Sequence, residues 1–482
     1  MKKYIIAILF SVISVSIYAQ QEAFTMKLDT KTHRFVASIV GVDGSLNYMF
    51  KNKNEIEVIW IKGTKRNSAI VSEVKNLKKF KMLGMVADSA NISLYFYDTP
   101  TKLITQIAIN KTTGSFVVTP INVLTKADVL LKGFEMDGVF YIMWVPYGQN
   151  IIKFSAYKQG QFVVNQEYNI EFKYFWDALI ASGNDTPQDA KFGVANISEI
   201  DNSLPNSVIN TAVYQKLYHF NHKFYITCEE PSTTHLIVID PVFRTNDYRK
   251  LNFKLENESG KIKGNSFLIN NRLLRLTASS EQINLCVVDL DSFTLVKNHN
   301  MYANQPLDLK NSPIFNEING KLDSEIPTTK EFFSEMTNGN PTIVANNMGD
   351  GLLEVAIGSH EVSQQINPVV GPNISPFMMT YGVGWGLGYN AYMYPGWGYT
   401  PSYTSTMVNS TLYFKSLFDN AKFDHLTGLL NKNVLDKIRD FERANFGTTP
   451  PDLHVVYSYG NKIHYGYYID KSNLFVVREF SK

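Results

Sequence analysis

Val139-Phe140-Tyr141-Ile142-Met143-Trp144-Val145 decides the fold. The run carries no charge, so a strand made of it has both faces covered. Tyr147 to Asn150 then reads as a turn. Ile151-Ile152-Lys153-Phe154-Ser155-Ala156-Tyr157 follows with partial alternation, and Lys158-Gln159-Gly160 turns the chain again. Three strands of a meander therefore fit within about 30 residues. The same grammar returns at Lys223 to Cys228 with His235 to Asp240, and at Arg272 to Thr277 with Ile283 to Asp289 and Phe293 to Val296.

Short polar turns punctuate these runs. They stand at Asp43-Gly44, Asp88 to Asn91, Asp137-Gly138, Asn221-His222, Asn270-Asn271, Asn347 to Gly351 and Gly460-Asn461. Three of the intervals are roughly 46 to 49 residues, close to known blade repeats, and the 138-to-221 gap is near twice that. Aromatic residues make up 13% of the chain, a bias toward strands. Four-stranded blades stacked radially bury both faces, which explains the scarcity of clean alternation. The sequence thus predicts an all-β β-propeller, with seven blades favoured over six or eight. It predicts one propeller domain over 20–482. The last hairpin, Val455 to Val477, would be completed by an early strand near Phe35 to Val40.

Three stretches depart from this grammar. Residues 171–205, with Trp176 and Ser203-Leu204-Pro205, read as a degenerate blade or a long crossing. Residues 328–340 read as a short helix, because Thr328 and Glu331 have capping-box spacing and Phe332, Phe333 and Met336 share a face. Residues 432–445 read as a second helix, with Val434, Leu435, Ile438 and Phe441 on one side.

Residues 1–19 have the form of a secretory signal: Lys2 and Lys3, an apolar stretch from Tyr4 to Val15, and a small residue at Ala19. The Ala-Gln ending resembles signal peptides of some Gram-negative bacteria. A periplasmic or secreted location is therefore expected. Losing Lys2 and Lys3 leaves 44 basic side chains against 44 acidic ones. Nucleic-acid binding needs a basic surplus, so it is not expected. No later stretch reaches the length of a membrane-spanning helix. Cys228 and Cys286 sit in separate strand-like runs, and the sequence leaves their pairing open.

Between Glu361 and Lys415 there is no Asp, Glu, Lys or Arg. This stretch reads as an inserted loop over 362–414, dense in glycine and aromatics: Tyr381, Trp385, Tyr389, Tyr392, Tyr394, Trp397 and Tyr399 among them. So many rings do not stay wet together at no cost. Three fates compete: packing on the protein's own surface, binding a glycan or protein partner, and contact with lipid. The aromatic residues are the candidate ligand-binding set.

Asn346-Asn347-Met348-Gly349-Asp350-Gly351-Leu352-Leu353-Glu354-Val355-Ala356-Ile357-Gly358 resembles one FG-GAP repeat, the calcium-loop blade of integrin-type propellers. The resemblance implies calcium ligation by Asn346, Asp350 and Glu354. Met348 occupies a further ligand position, and a thioether suits a hard cation poorly. A glycine-containing hairpin turn is the plainer reading. His360-Glu361 opens like a zinc-protease helix, but Gln364 stands where the second ligand belongs. His219 and His222 lack a third ligand. Glu229 and Glu230 are adjacent, so on a strand they face opposite ways. Asp289 and Asp291 fit a strand-end turn.

The chain as a whole resembles secreted bacterial propeller proteins with Gly- and aromatic-rich insertions. It is expected to be a non-catalytic binding or scaffold protein of the cell envelope, acting through a propeller face and the 377–403 loop. No cofactor is expected beyond possible calcium. The alternative is a secreted enzyme acting on polysaccharide, with carboxylates gathered in a central channel.

Overall fold

The computed structural model describes residues 20–481, apart from 29–34, 53, 73–79, 99, 123, 126–127, 159, 181–196, 257–259, 319–320, 327, 369–402, 448–450, 452 and 461. Among the described residues the chain forms seven sheets of four or five strands. The first joins Phe35–Val40, Leu46–Lys51, Ile56–Lys62 and Lys65–Val71 in chain order. The second (Phe80–Ala87 to Phe116–Ile121), third (Val129–Met136 to Gln161–Asn169) and fifth (Lys263–Ile269 to Leu295–Tyr302) are the same antiparallel meander. The fourth runs from Gln215–Phe220 to Thr245–Asn252 and gains a short parallel strand, Ser198–Ile200.

Each turn read from the sequence falls at a hairpin, one per sheet; in six sheets it is the first hairpin, and in the sixth it joins Asn340–Gly349 to Leu352–Pro368, after the hairpin of Phe315–Ile318 and Lys321–Glu325. Asp137-Gly138, Asn221-His222 and Asn270-Asn271 have positive φ at both central residues. That backbone matches the right-handed twist of two-residue hairpins, and Asn, Asp and Gly tolerate it best. The fold is all-β, of the β-propeller class. The long 138-to-221 interval holds a helix, Phe175–Ile180, then Ser198–Ile200 and a single helical turn, Val208–Thr211. The described part of 171–205 is thus a crossing.

The seventh sheet has the order Gln20–Lys27, Leu474–Ser481, Lys462–Ile469, His454–Tyr459. The strand that completes it is Gln20–Lys27, paired antiparallel with Leu474–Ser481. The expectation for Phe35 to Val40 is corrected: that strand opens the first sheet. The reason lies in pattern. Phe24 and Met26 alternate with polar neighbours, as an outermost strand with one wet face does, and the segment lay close enough to the predicted signal to be overlooked.

The chain divides into two compact units: residues 1–197, 239–248 and 434–482, and residues 198–238 and 249–433. In the first unit, Tyr48, Phe50, Phe475 and Val477 fill the space between the seventh and first sheets. Trp60, Met85, Leu94 and Phe96 do the same between the first and second. The helix Val434–Phe446 buries Val434, Ile438 and Phe441 of the expected face and also Glu442, while Leu435 is only half-buried. In the second unit the core runs through Leu274, Leu285, Val355 and Phe414. There the helix Thr329–Asn338 begins at Thr328, whose hydroxyl accepts from the Glu331 N–H at 3.2 Å.

The sixth sheet holds the largest departure from expectation. Its order is Lys321–Glu325, Phe315–Ile318, Tyr403–Asp419, Leu352–Pro368, Asn340–Gly349. The expected loop 362–414 is strand at both its ends. Val362, Ile366, Tyr403, Thr404, Thr406 and Val408 are good strand formers, and lack of charge does not argue against pairing.

Candidate functional site

The two long strands of the sixth sheet pair from Leu352↔Asp419 to Pro368↔Tyr403. Their neighbours stop earlier. Asn340–Gly349 ends its pairing opposite His360, and Phe315–Ile318 ends opposite Ser410. Val362–Pro368 and Tyr403–Asn409 therefore pair only with each other among the described residues. This two-stranded ribbon is seven residue pairs long, roughly 24 Å at about 3.4 Å per residue. Residues 369–402 connect its two strands in the chain. The candidate aromatic residues Tyr381, Trp385, Tyr389, Tyr392, Tyr394, Trp397 and Tyr399 lie outside the described residues.

The FG-GAP-like segment forms the hairpin at the other end of these strands. Asp350 has φ 49° between Gly349 and Gly351, both also at positive φ. Asn346 and Glu354 are directly opposed across the hairpin, and both are buried. Asn346 Oδ1 accepts from the Asn206 N–H at 3.0 Å. Glu354 accepts from Lys415 Nζ at 3.2 Å and from Asn433 Nδ2 at 2.5 Å. The carboxylate is thus engaged by a cation and an amide of its own chain. Among the described residues no three His, Cys, Asp or Glu side chains gather as a metal site.

The remaining motifs settle into local roles. His360 lies on a strand, with Nδ1 3.1 Å from Thr411 Oγ1. His219 stacks on Phe224 with ring centroids 4.3 Å apart. Asp289 Oδ1 accepts the N–H groups of Asp291 and Ser292, closing a strand-end turn. Cys228 and Cys286 are free, buried thiols. Burial pushes them up to about 12 and about 11 respectively.

Two constellations were not anticipated from the sequence. The first is a buried polar knot in the second unit. Glu229 accepts from Arg275 Nη1, from Ser266 Oγ and from Thr234 Oγ1 at 2.8 Å. Lys216 Nζ stands 3.9 Å away and donates to Asn265. The Glu229, Arg275 and Lys216 side chains have no exposed surface. Desolvation lowers Lys216 to about 8, against the pull of Glu229. Glu230, next in the chain, is half exposed, as opposite strand faces require. Gly264 makes room for the guanidinium: a Cβ there would fall on Arg275 and lie 2.6 Å from the Pro231 carbonyl oxygen. A glycine inside a strand was the available signal.

The second constellation is a cleft of about 410 Å³ in the first unit, lined by Phe24, Leu46, Tyr459, Lys462, His464 and Glu479. Register places Tyr457, His464 and Glu479 in one row across the seventh sheet, with Tyr459 and Lys462 in the next. Lys462 pairs with Glu479. His464 Nε2 lies 3.7 Å from Glu479 Oε2. The imidazole stacks on Tyr457 at 5.1 Å, and the Tyr457 hydroxyl bonds that of Tyr48. Burial lowers the pKa of His464, with Glu479 opposing. Sequence could not assemble this row, since it joins Phe24 and Leu46 to residues beyond 450.

No protein-family profile matches the chain, and no curated protein matches it. Among solved structures it is similar to the uncharacterized protein lmo1340 from Listeria monocytogenes EGD-e, at 11% identity over 94% of this chain and 96% of that one, with a TM-score of 0.34. It is similar to the Dos1 propeller at 8% identity, over 70% and 84% of the two chains, with a TM-score of 0.30. The dihydro-heme d1 dehydrogenase NirN is similar at 10% identity and a TM-score of 0.27. The match covers 54% of this chain but only 45% of NirN, less than half its length. The fold assignment rests on the sheets themselves.

Proposed function

We propose that the protein is a non-catalytic binding or scaffold module of the bacterial cell envelope, exported by residues 1–19. It engages a glycan or a protein partner through the segment that connects the two strands of the ribbon. The observation that carries this reading is the ribbon. Seven residue pairs extend the two strands past both flanking strands of their sheet. Such an extension adds no sheet neighbours, so packing within the sheet does not account for its length. What connects its strands is a stretch with no Asp, Glu, Lys or Arg and many rings, a composition suited to stacking and interface anchoring.

The test is deletion of 377–402 with a short Gly-Asn linker. The variant keeps its melting temperature and loses retention on envelope glycans or on envelope proteins. Unchanged retention on both would overturn the reading. Localisation is checked separately, by fractionating cells that express the full chain; an uncleaved cytoplasmic product would remove the envelope assignment.

A further inference from the structure

The cleft of the first unit has three properties that a mere packing defect lacks. Its lining is partly apolar and aromatic: Phe24, Leu46 and Tyr459, the last 41% exposed. Beside Tyr459, on the same face of the seventh sheet, stand a cation, a carboxylate and an imidazole within reach of one another. His464 lines the cleft while only 5% exposed. The outermost strand also bulges here. Its register shifts between Glu22 and Phe24, leaving Ala23 without a counterpart, and Ala23 lines the cleft. Bulges recur where a strand is re-aimed around a site.

The chemistry of the walls selects the occupant. Lys462 and Glu479 cancel one another, so the cleft exerts little field on an ion. Its ligand needs one apolar face for Phe24, Leu46 and Tyr459, and an edge of donors and acceptors for Lys462, His464 and Glu479. A pyranose ring has this form: C–H bonds on its face and hydroxyls around its rim. A volume of about 410 Å³ lies at the lower end of small-ligand pockets, which span about 300–1,000 Å³, and suits one or two rings.

We propose that this cleft binds a neutral sugar of one or two pyranose units, stacked on Tyr459 and hydrogen-bonded by Glu479, Lys462 and His464. None of the lining residues belongs to 369–402.

The experiment is calorimetric titration of the purified protein with cellobiose, maltose and N,N′-diacetylchitobiose, beside glucuronic acid and adenosine. At least one neutral disaccharide binds. Tyr459→Ala weakens it by about tenfold, equivalent to about 1.4 kcal/mol, and Glu479→Gln weakens it comparably. Tyr459 is exposed enough for its variant to fold as the parent does. The 377–402 deletion leaves the affinity unchanged. The proposal fails if none of the three sugars binds, if Tyr459→Ala binds as the parent does, or if glucuronic acid or adenosine binds more tightly than every neutral sugar. Binding lost on the deletion but kept in Tyr459→Ala would place the sugar on the ribbon, refuting the cleft and leaving the function reading intact.

Discussion

Arg275 and Lys216 show how differently two buried cations can matter. Arg275 is the close partner of Glu229 and also donates to the carbonyls of Glu230 and Pro231 at 2.8 and 2.9 Å. Arg275→Met strands a buried carboxylate and two carbonyls, and should cost about 3–5 kcal/mol. Lys216 is the third charge of the knot, and Glu229 keeps Arg275 without it. Lys216→Met should change stability at pH 7 by less than about 1 kcal/mol. Since Lys216 titrates near 8 when folded and at 10.5 otherwise, the unfolded chain holds more protons between those values. Its contribution rises with pH across that window, and the methionine variant loses the slope. Urea titration from pH 7 to 10.5 checks both statements.

Asp43 gives the complementary case. Burial alone would raise its pKa, but hydrogen bonds from Ser45 and the nearby Lys111 outweigh it and hold the carboxyl at about 2. Lys111 Nζ also donates to Ser45 Oγ at 2.8 Å, tying the second sheet to the turn of the first. A depressed carboxylate stabilises above its unfolded value of 3.8 and loses that contribution as pH falls through about 2. Asp43→Asn should cost about 1.5–3 kcal/mol at pH 6. The gap from the parent should close near pH 2, which paired thermal melts across that range would show.

Among the elements, the ribbon strands depend on Gly358. A Cβ at this position would fall on the Leu412 carbonyl oxygen and 2.6 Å from Tyr413 Cβ. Gly358→Ala therefore forces the strands Leu352–Pro368 and Tyr403–Asp419 apart. Overpacking of this kind costs about 1–3 kcal/mol, measured as a lowered denaturant midpoint with an unchanged slope. Legibility also divides by element. Turn chemistry is local, so Asn221-His222, Asn270-Asn271 and Asp137-Gly138 announced one hairpin per sheet. The helix at Thr328 was equally plain, because cap and buried face fall within nine residues. The ribbon was hidden: its two strands are separated by 369–402, and pairing partners that far apart leave no periodic mark. The knot at Glu229 and the cleft at His464 were hidden for the same reason, each being made by cross-sheet neighbours.

At the scale of the molecule, the seventh sheet is the unusual one, because it draws strands from both chain ends. Gln20–Lys27 is held along its length by Leu474–Ser481, and Leu28 N–H donates to the Asn473 carbonyl at 3.1 Å. Met26 and Leu28 are buried against Tyr48 and Phe475. Removing residues 20–27 should strip a full ladder and uncover the edge of Leu474–Ser481. The truncated protein is expected to melt earlier and to self-associate through that edge, seen as a lower transition temperature and a concentration-dependent sedimentation profile.

The same arrangement sets an order of events during synthesis. Gln20 leaves the ribosome well ahead of its partner Phe480, about 460 residues later in the chain. At ribosomal speeds of about 5–20 residues per second, the opening segment waits roughly 20 to 90 seconds for its complement. During that interval a nascent strand with alternating apolar side chains has no native mate, and holdase chaperones or an unfolded export route would be its natural custodians. Completion of the seventh sheet therefore waits until Leu474–Ser481 has been made, and a chain stopped short of Leu474 has no means of reaching it.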